Sequence, residues 1–528
     1  MPKRILVTEE IAPAGLDAMR AAGFVVDLQL DLTPSTLLAA VQGASALVIR
    51  SATQVTREVL QAGTDLIVVG RAGIGLDNVD VADATERGVM VVNAPQSNVI
   101  SAAEHTVALL LAQARNIPQA NSDLKAGHWN RAKWEGVELY GKTLGILGLG
   151  RVGVLVAQRA LAFGMHLVAF DPYVSGDRAR QIGVQLLPTV DEVVGLADFL
   201  TIHLPKTPET LGLLTADRLA RAKPTLRIVN TARGGIVDEG VLADAVRDGR
   251  IAGAAIDVFA VEPTTSSPLF ELDAVVVTPH LGASTAEAQD KAGQTIAEQV
   301  VLALRGEFVP FAVNLAATEA SATVQPYLPL AERLGRLFSA LAGGLVETLE
   351  VSYEGQIADS DCRVLTLGVL KGVLASTRDQ PVSFVNAPQL AEEAGLVVRE
   401  TSTSSARDFV NLVSLRGHVA GNDVHVAGTL VGKQERPRIV AIDDHAVDVP
   451  PSRHMLVVYN DDRPGMIGLV GTVLGEADVN ISDMDVGRSA AGEAALMVIA
   501  TDAEVRPDVL QRLASYPGIS IAKAIELA

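Results

Sequence analysis

Residues 143–171 read TLGILGLGRVGVLVAQRALAFGMHLVAFD and contain the pattern that decides the fold. An apolar run at 144–147 is typical of a strand, the hexad GLGRVG follows at once, and a helical segment extends to about Phe163. A second apolar run, 165–170, ends at Asp171. Strand, spaced glycines, helix, strand and acidic residue in this order predict a Rossmann-type dinucleotide-binding unit.

The three glycines of the hexad have different physical purposes. Gly148 permits the tight turn, Gly150 lets a pyrophosphate approach the backbone, and Gly153 lets the helix pack on the strand. The free N–H groups at the start of the helix, at Arg151 and Val152, would hold the phosphates. The hexad therefore predicts a phosphate cradle at the helix N-terminus.

Asp171 lies about 18 residues after the last glycine of the hexad. At that position a carboxylate accepts hydrogen bonds from both ribose hydroxyls and repels a 2′-phosphate. This favours NAD over NADP as the cofactor. An ordinary buried βαβ unit is the alternative interpretation of the same stretch.

Composition bounds the class of protein. The 528 residues are 48% apolar and 20% charged, which suggests three or four packed domains. No apolar run has the length of a transmembrane helix, and the start MPKRILVTEE does not resemble a secretory signal, so we expect a cytoplasmic protein. The single cysteine, Cys362, excludes an intrachain disulfide and a cysteine-rich metal site, and no metal is expected.

The formal net charge is −19. It argues against nucleic acid or an anionic membrane as a general partner. If the substrate is an anion, arginines must be concentrated locally at the binding site.

Residues 3–95 alternate short apolar runs with helical segments, which predicts a parallel sheet with helices on both faces. Function belongs at the carboxyl ends of such strands. Two segments follow predicted strands there: 50–53, which begins with Arg50 and Ser51, and 70–80, which contains Arg71. Each is a candidate anion-binding loop, and a solvated loop arginine is the alternative for each.

The next stretch, 98–115, predicts a long helix with Ser101 and Glu104 as a possible capping box. The loop 127–134, GHWNRAKW, places Arg131 and Lys133 beside the two tryptophans of the chain. Such a loop could close over an anion or seal a subunit contact, and simple packing of the tryptophans is equally compatible with the pattern.

The strand and helix alternation continues after Asp171, with predicted strands at 199–204, 227–230, 254–258 and 274–277. Three polar segments follow these strands and contain Arg233, Glu262 and His280. Because carboxyl ends of parallel strands meet at one edge of a sheet, these three side chains are expected to face the nicotinamide.

Five stretches carry a resemblance to a known family: GRAGIGLDNVD, GKTLGILGLGRVG, VNTARGGIVDEG, AAIDVFAVEP and TPHLGAST. They occur in the order found in the D-isomer-specific 2-hydroxyacid dehydrogenases, which residues 1–313 resemble. The resemblance implies an α/β fold with doubly wound parallel sheets. A Rossmann-like nucleotide domain, 98–283, would be inserted in a flavodoxin-like substrate domain, 1–97 and 284–313.

The resemblance also assigns catalytic roles to Arg233, Glu262 and His280. The chemistry asks for these residue types, because oxidation of a secondary alcohol needs a base for the hydroxyl proton while hydride leaves for NAD. His280 suits that task near neutral pH, Glu262 would fix its tautomer, and Arg233 would hold the substrate carboxylate in a planar fork.

Family positions give further contacts. The expected cofactor contacts are Gly148, Gly150, Arg151, Val152, Gly153, Asp171, Leu204, Thr231, Ala232, Arg233, Asp257, His280, Leu281, Gly282 and Ala283. The expected substrate contacts are Arg50, Ser51, Ile74, Gly75, Asn98 and Arg131, the last in a loop that a neighbouring subunit can supply. Arg50 is the candidate for a substrate phosphate.

The C-terminal third resembles regulatory modules. Residues 316–324 are expected to form a linker, and 318–452 an α+β intervening regulatory domain. Residues 455–528 follow a β-α-β-β-α-β order and resemble a ferredoxin-like ACT domain, with Asn460, Asp462 and Asn480 at the effector positions. ACT domains bind amino acids between paired copies, so the resemblance implies L-serine as effector and a homo-oligomer, expected to be a tetramer. A ferredoxin-like fold of purely structural use is the alternative.

This combination is most similar to the long family members that oxidise 3-phospho-D-glycerate to 3-phosphohydroxypyruvate, the first step of L-serine biosynthesis. A glyoxylate or hydroxypyruvate reductase shares the same triad but normally lacks the C-terminal extension. An NAD(H)-sensing transcriptional corepressor on the same fold is an interpretation from another class.

Overall fold

The structure is a computed structural model and describes residues 3–315, 321, 323–375, 382–406, 408–419, 422–488 and 494–527. Residues 316–320 and 322 of the expected linker lie outside the described residues.

The first lobe is a parallel sheet with helices on both faces. Its elements are β1 (Arg4–Val7), α1 (Pro13–Ala21), β2 (Val25–Leu28), α2 (Pro34–Ala40), β3 (Ala46–Ile49), α3 (Arg57–Ala62), β4 (Val68–Arg71), α4 (Val81–Glu86) and β5 (Met90–Val92). The strand order is β2-β1-β3-β4-β5. This is the flavodoxin-like order, whose switch point between β1 and β3 places ligands at the carboxyl ends of these strands.

The second lobe contains the glycine-rich hexad. Its elements are α5 (Val99–Ala114), α6 (Ile117–Lys125), β6 (Thr143–Leu147), α7 (Arg151–Ala162), β7 (His166–Phe170), α8 (Gly176–Gln181), β8 (Gln185–Leu186), α9 (Val190–Leu196), β9 (Phe199–Ile202), α10 (Ala216–Leu219), β10 (Arg227–Asn230), α11 (Glu239–Arg247), β11 (Gly253–Ile256) and β12 (Val275–Val277). The parallel sheet has the order β12-β11-β10-β9-β6-β7-β8. The predicted doubly wound α/β class is confirmed.

Helix α12 (Ala286–Arg305) returns the chain to the first lobe. It packs along α1 so closely that a Cβ on Gly15 would lie 2.6 Å from the carbonyl oxygen of Gly293. Its buried Ile296 and Val300 lie against Gly70 of β4. The second lobe is therefore inserted between two parts of the first.

The start of α5 differs from the sequence prediction. The helix begins at Val99 with Asn98 as its N-cap residue, so the capping box at Ser101 and Glu104 was wrong. Ser101 lies in the first turn, and its hydroxyl bonds the hydroxyl of Thr285 at 2.8 Å. A tertiary contact to the returning chain has replaced the local cap.

The third unit is an α+β domain, as predicted. Short 3-10 helices lie at Gln325–Tyr327 and Gln356–Asp359, and the other elements are α13 (Leu328–Ala342), β13 (Thr348–Gly355), α14 (Arg363–Leu374), α15 (Ala387–Glu393), β14 (Val397–Thr403), β15 (Asn411–Val419), β16 (Asn422–Val431), β17 (Arg436–Ile442) and β18 (His445–Val449). The sheet order is β14-β13-β15-β16-β17-β18. Cys362 is buried here, and burial raises the pKa of its thiol to about 11, so it is a poor nucleophile.

The fourth unit has the predicted β-α-β-β-α-β order. Its elements are β19 (His454–Asp461), α16 (Met466–Glu476), β20 (Ile481–Arg488), β21 (Ala494–Thr501), α17 (Pro507–Ala514) and β22 (Ile519–Glu526). The antiparallel sheet order β20-β21-β19-β22 is the ferredoxin-like arrangement. Across the described part of the chain, no helix is both long enough and apolar enough to cross a bilayer.

Candidate active site

A cavity of about 470 Å³ lies between the first and second lobes. Arg50, Ser51 and Arg71 line it from the first lobe, and Glu262 and His280 line it from the second. Arg71 is the last residue of β4, and the other four residues follow β3, β11 and β12, so the carboxyl edges of the two sheets face each other across the cavity.

His280 and Glu262 form a hydrogen-bonded pair at this cavity, with 2.6 Å between Nδ1 and Oε2. The backbone N–H of Phe259 donates to the other carboxylate oxygen of Glu262 at 2.8 Å. Burial alone would raise the pKa of Glu262, but the hydrogen bonds from His280 and Phe259 outweigh it and lower that pKa below 4.5. An ionised Glu262 fixes a proton on Nδ1 of His280, which leaves Nε2 for a ligand.

Asp257 holds the loop that carries His280. Its fully buried carboxylate accepts hydrogen bonds from the N–H groups of Leu281 at 2.8 Å and Gly282 at 2.9 Å, and from the Thr278 hydroxyl at 2.6 Å. The Nε2 atom of His105 on α5 lies 3.1 Å away. Burial opposes ionisation of Asp257, yet these hydrogen bonds keep its pKa below 3.8. The carboxylate is therefore a fixed anchor beneath the loop.

Arg233 lies at the end of β10, beneath the glycine-containing loop of the first lobe. A Cβ on Gly75 would lie 2.6 Å from its Nη2 atom. Its Nη1 donates to the carbonyl of Ala232 at 2.7 Å, and its Nε lies 3.3 Å from the carboxylate of Asp77. The guanidinium therefore reaches across the cleft, although it is not part of the cavity lining itself.

Arg71 adds a second guanidinium, and Arg50 a third. A Cβ on Gly73 would lie 1.9 Å from Nη1 of Arg71, so only glycine leaves room for this side chain. Burial and then the charge of Arg233 lower the pKa of Arg71 to about 10, which still leaves it protonated at neutral pH. Cationic groups are thus concentrated in an acidic protein, as an anionic ligand would require.

The glycine-rich turn has the predicted geometry. A Cβ on Gly148 would lie 2.6 Å from the carbonyl oxygen of His203, and one on Gly153 would lie 2.1 Å from that of Gly148. Gly150 caps α7, and no described atom lies within 4 Å of the position that its Cβ would take. Space therefore remains open at the position where a pyrophosphate would approach the backbone.

Asp171 ends β7, where its carboxylate accepts from the N–H of Leu149 at 2.8 Å and of Tyr173 at 2.8 Å. It is thus tied to the glycine-rich turn. A carboxylate in this place fits the ribose hydroxyls of NAD.

Three parts of the chain match known protein families. Residues 107–282 match the family described as D-isomer specific 2-hydroxyacid dehydrogenase, NAD binding domain; 323–443 match the D-3-phosphoglycerate dehydrogenase intervening domain, and 454–518 the ACT domain. The chain is 47% identical over 514 residues to a D-3-phosphoglycerate dehydrogenase of Mycobacterium bovis, covering 97% of both chains. It is 39% identical to that of Bacillus subtilis, covering 99% of both chains.

The chain belongs to the D-3-phosphoglycerate dehydrogenase family. Solved structures resemble its N-terminal part: the TT0316 protein of Thermus thermophilus matches with a TM-score of 0.55 at 34% identity, covering 59% of this chain and 99% of that one. A putative D-3-phosphoglycerate dehydrogenase of Ralstonia solanacearum matches with a TM-score of 0.53 at 28% identity, covering 61% and 99%. As in the family, the second lobe is an NAD-binding domain.

The remaining cofactor positions expected from the family lie along the same sheet edge. Leu204 follows β9, Thr231 and Ala232 follow β10, and 281–283 follow His280. The Thr231 hydroxyl bonds that of Thr106 on α5 at 2.7 Å. Arg151 and Val152 are the first residues of α7, so their N–H groups point out of the helix start.

The predicted substrate positions are distributed unevenly. Asn98 lines the cavity, and its buried Oδ1 has no hydrogen-bond partner among the described residues. Ile74 and Gly75 lie in the loop over Arg233, and the carbonyl of Ile74 accepts from Asn93 at 2.7 Å. Arg131 lies exposed in the loop after α6 and does not line the cavity of its own chain.

Arg71, which lines the cavity, and Glu9, which lies behind the lining, were not among the substrate contacts expected from the sequence. The strand-end rule placed Arg71 in a candidate anion-binding loop, but the family positions did not include it among the substrate contacts. Glu9 follows β1, and its carboxylate binds the loop that contains Arg50. Nothing in the sequence indicates the contact between Glu9 and this loop, because it joins residues about 40 positions apart.

Proposed function

We propose that the chain catalyses the NAD-dependent oxidation of 3-phospho-D-glycerate to 3-phosphohydroxypyruvate, the first step of L-serine biosynthesis. The observation that carries this proposal is the cavity shared by the His280–Glu262 pair and the guanidiniums of Arg50 and Arg71. A proton acceptor thus lies near a cationic surface in a chain of net charge −19. The full-length relatives named D-3-phosphoglycerate dehydrogenase support the same activity.

Different residues bind the transferred proton and the charged groups of the substrate. Nε2 of His280 accepts the hydroxyl proton, and the ionised Glu262 stabilises the imidazolium that forms. NAD held in the second lobe by the glycine-rich turn and Asp171 would supply the hydride acceptor for the carbon that carries this hydroxyl. Arg233 holds the substrate carboxylate next to the reacting carbon, and this orientation lowers the entropic part of the barrier.

The phosphate group requires its own cations. Arg50 and Arg71 line the cavity from the first lobe, while Arg233 extends from the second. We assign Arg50 and Arg71 to the phosphate and Arg233 to the carboxylate, because a substrate that spans the cleft then meets cations at both ends. This division explains why the loop at 73–75 has glycines where side chains would displace the guanidiniums.

L-serine is the proposed effector at the ACT domain. Asn460 is buried, and its Oδ1 has no partner among the described residues. Register pairs both His454 and Ile481 with Thr501, so Asn460 and Asn480 lie at opposite ends of the sheet, about 20 Å apart. A site that uses both ends needs two antiparallel copies of the domain.

The effector argument therefore implies a homo-oligomer, and we propose a tetramer in the cytoplasm. The loop 127–134 is a candidate for a second contact, since Trp129 is 76% exposed and Arg131 does not line the cavity of its own chain. A neighbouring subunit could bring Arg131 to the substrate phosphate.

Steady-state kinetics test the proposed function. NADH formation is measured with 3-phospho-D-glycerate, D-glycerate and glycolate as substrates, each with NAD and NADP, and with or without L-serine. We expect the phosphorylated substrate and NAD to give the highest kcat/KM, and serine to lower the rate. Faster reaction with glycolate or D-glycerate would indicate the reductase alternative, and NADH binding without turnover would indicate a corepressor.

A further inference from the structure

The carboxylate of Glu9 is hydrogen-bonded to the backbone of the loop that carries Arg50 and Ser51. Its Oε1 accepts from the N–H groups of Arg50 at 2.8 Å and Thr53 at 3.0 Å, and its Oε2 from that of Ala52 at 3.1 Å. Glu9 does not line the cavity, so the carboxylate contacts the loop from behind. Three N–H groups of one loop therefore converge on one anion.

The same loop is held on its other side by Asn78. Its Nδ2 donates to the carbonyls of Arg50 at 2.9 Å and Thr53 at 2.7 Å. The N–H groups of the loop are thus bound by Glu9 and its carbonyls by Asn78. Burial alone would raise the pKa of Glu9, but the backbone hydrogen bonds lower it below 4.5, so Glu9 is ionised at neutral pH.

Converging backbone N–H groups are a common binding site for phosphate. Here they are already satisfied by an internal carboxylate. A phosphate in the cavity must then be bound by side chains. Because Arg50 and Ser51 belong to this loop, phosphate binding depends on the conformation of the loop. The charge on Glu9 would repel a phosphate that approached these N–H groups directly.

We infer that Glu9 is a positioning residue that sets substrate affinity: its carboxylate takes the place of a phosphate in the N–H nest of 50–53 and fixes the loop with Arg50 toward the cavity. This inference rests on the proposed function for the identity of the phosphorylated substrate. Glu9 itself does not touch the substrate, so its effect falls on binding and not on the chemical step.

The test compares Glu9→Gln and Glu9→Ala with the wild type in the full-length enzyme. Glutamine keeps one acceptor oxygen but turns an N–H donor toward Ala52, and alanine removes all three bonds. We expect KM for 3-phospho-D-glycerate to rise about 10-fold or more in Glu9→Gln and further in Glu9→Ala, with kcat at saturation and the Kd for NADH changed less than about 2-fold. Amide hydrogen exchange at 50–53 should accelerate in both variants.

Glu58→Gln is the matched control. Glu58 lies on α3 of the same lobe and its carboxylate accepts from the Thr56 hydroxyl at 2.6 Å, so the variant removes the same charge without touching the loop. We expect wild-type kinetics from it. An unchanged KM in both Glu9 variants would overturn the inference, as would KM, NADH affinity and Tm shifting together, which would indicate a general structural role.

Failure of the proposed function gives a different result. If the wild type does not oxidise 3-phospho-D-glycerate, the substrate assignment falls. The Kd for inorganic phosphate, measured by calorimetry in the wild type and the Glu9 variants, then decides the role of Glu9. Weaker phosphate binding in the variants supports the inference, and equal or tighter binding refutes it.

Discussion

In the proposed mechanism, His280 accepts the hydroxyl proton, and Glu262 orients the imidazole and stabilises its charged form. The 2.6 Å contact and the lowered pKa of Glu262 mean that the carboxylate is charged when the imidazole becomes charged. In the same proposal, Arg233 binds the substrate carboxylate and takes no part in the proton transfer. Substitutions at these residues should therefore separate chemistry from binding.

For His280→Asn we expect kcat to fall by about 10³-fold or more, because the amide cannot accept the proton. Glu262→Gln should cost about 10²-fold, because the imidazolium loses its charged partner. The Kd for NADH, measured by fluorescence titration, should change less than about 3-fold in both variants. Turnover that stays near the wild-type rate in His280→Asn would refute the proposed base.

His203 should make the folded protein less stable as pH falls, whereas a histidine paired with a carboxylate would make it more stable. His203 lies under the glycine-rich turn, and burial lowers the pKa of its imidazole from 6.5 to about 4. Between these values the unfolded chain binds a proton that the folded chain does not, so stability is lost as pH falls from about 6.5 toward 4.

His203→Gln removes the imidazole that takes up this proton in the unfolded chain. The Tm of the variant should therefore fall less steeply than that of the wild type between pH 6.5 and pH 4, as measured by calorimetry. At pH 7.5 both histidine and glutamine are neutral, so any difference there reports packing alone. Parallel Tm curves for the two proteins over the acid range would contradict the prediction.

At the residue scale, the sequence identified groups that stand just beyond strands, and it missed contacts between loops. Arg233, Glu262 and His280 follow β10, β11 and β12, so the rule that strands end at one sheet edge predicts them on the same side of the lobe, and the structure pairs His280 with Glu262. Glu9 contacts the loop at 50–53 from another strand end, and Asp257 contacts the loop after Thr278. Such pairings depend on how loops fold back, which neither spacing nor residue type encodes.

The turn between β6 and α7 shows how one element sets two requirements on its glycines. Gly153 has no room for a side chain, since its Cβ would lie 2.1 Å from a carbonyl oxygen, whereas Gly150 has open space at φ −69°. The first requirement belongs to the fold, and the second is the one that we assign to the pyrophosphate. An alanine substitution at each of the two glycines can distinguish the two requirements.

We expect Gly150→Ala to fold with a Tm close to that of the wild type and to bind NADH about 10-fold or more weakly, because the methyl group enters the space of the pyrophosphate. Gly153→Ala is the comparison, and it should lower Tm because backbone atoms must move apart. Calorimetry and NADH titration measure both. Equal NADH affinity in Gly150→Ala and the wild type would show that the pyrophosphate does not approach this glycine.

Element boundaries show the limit of local signals. The helix at 151–162 was predictable because its apolar periodicity and its glycines agree. The capping box predicted at Ser101 and Glu104 was wrong, because the Ser101 hydroxyl contacts Thr285, which the returning chain brings to the start of α5. A local motif gives way when a distant segment offers the same hydroxyl a partner.

At the scale of the whole molecule, the intervening domain contacts the first lobe directly. The intervening domain inserts Val385 into the core of the first lobe, where the side chain is 5% exposed beside residues of β5 and α12. The Ser383 hydroxyl donates to the carbonyl of Gly88, between α4 and β5, at 2.9 Å. The segment 382–386 therefore forms a direct contact between the intervening domain and the first lobe.

This contact could not be predicted from the sequence. Residues 382–386 read VSFVN, which lacks the periodicity of a helix or strand and contains no motif. The domain order and the type of each domain were predictable from patterns within each domain. Their mutual contacts depend on surfaces that only the folded chain brings together.

If serine inhibition passes through this contact, Val385→Ala should weaken it. The variant loses methyl groups from the joint between the domains, so we expect the serine concentration for half-inhibition to rise about 5-fold or more. KM and kcat without serine should stay within about 2-fold, because Val385 lies outside the cavity lining. Val397→Ala is the control, since Val397 is 52% exposed on β14 of the same domain. A half-inhibition concentration equal to that of the control would mean that the signal from the ACT domain reaches the catalytic lobes by another path.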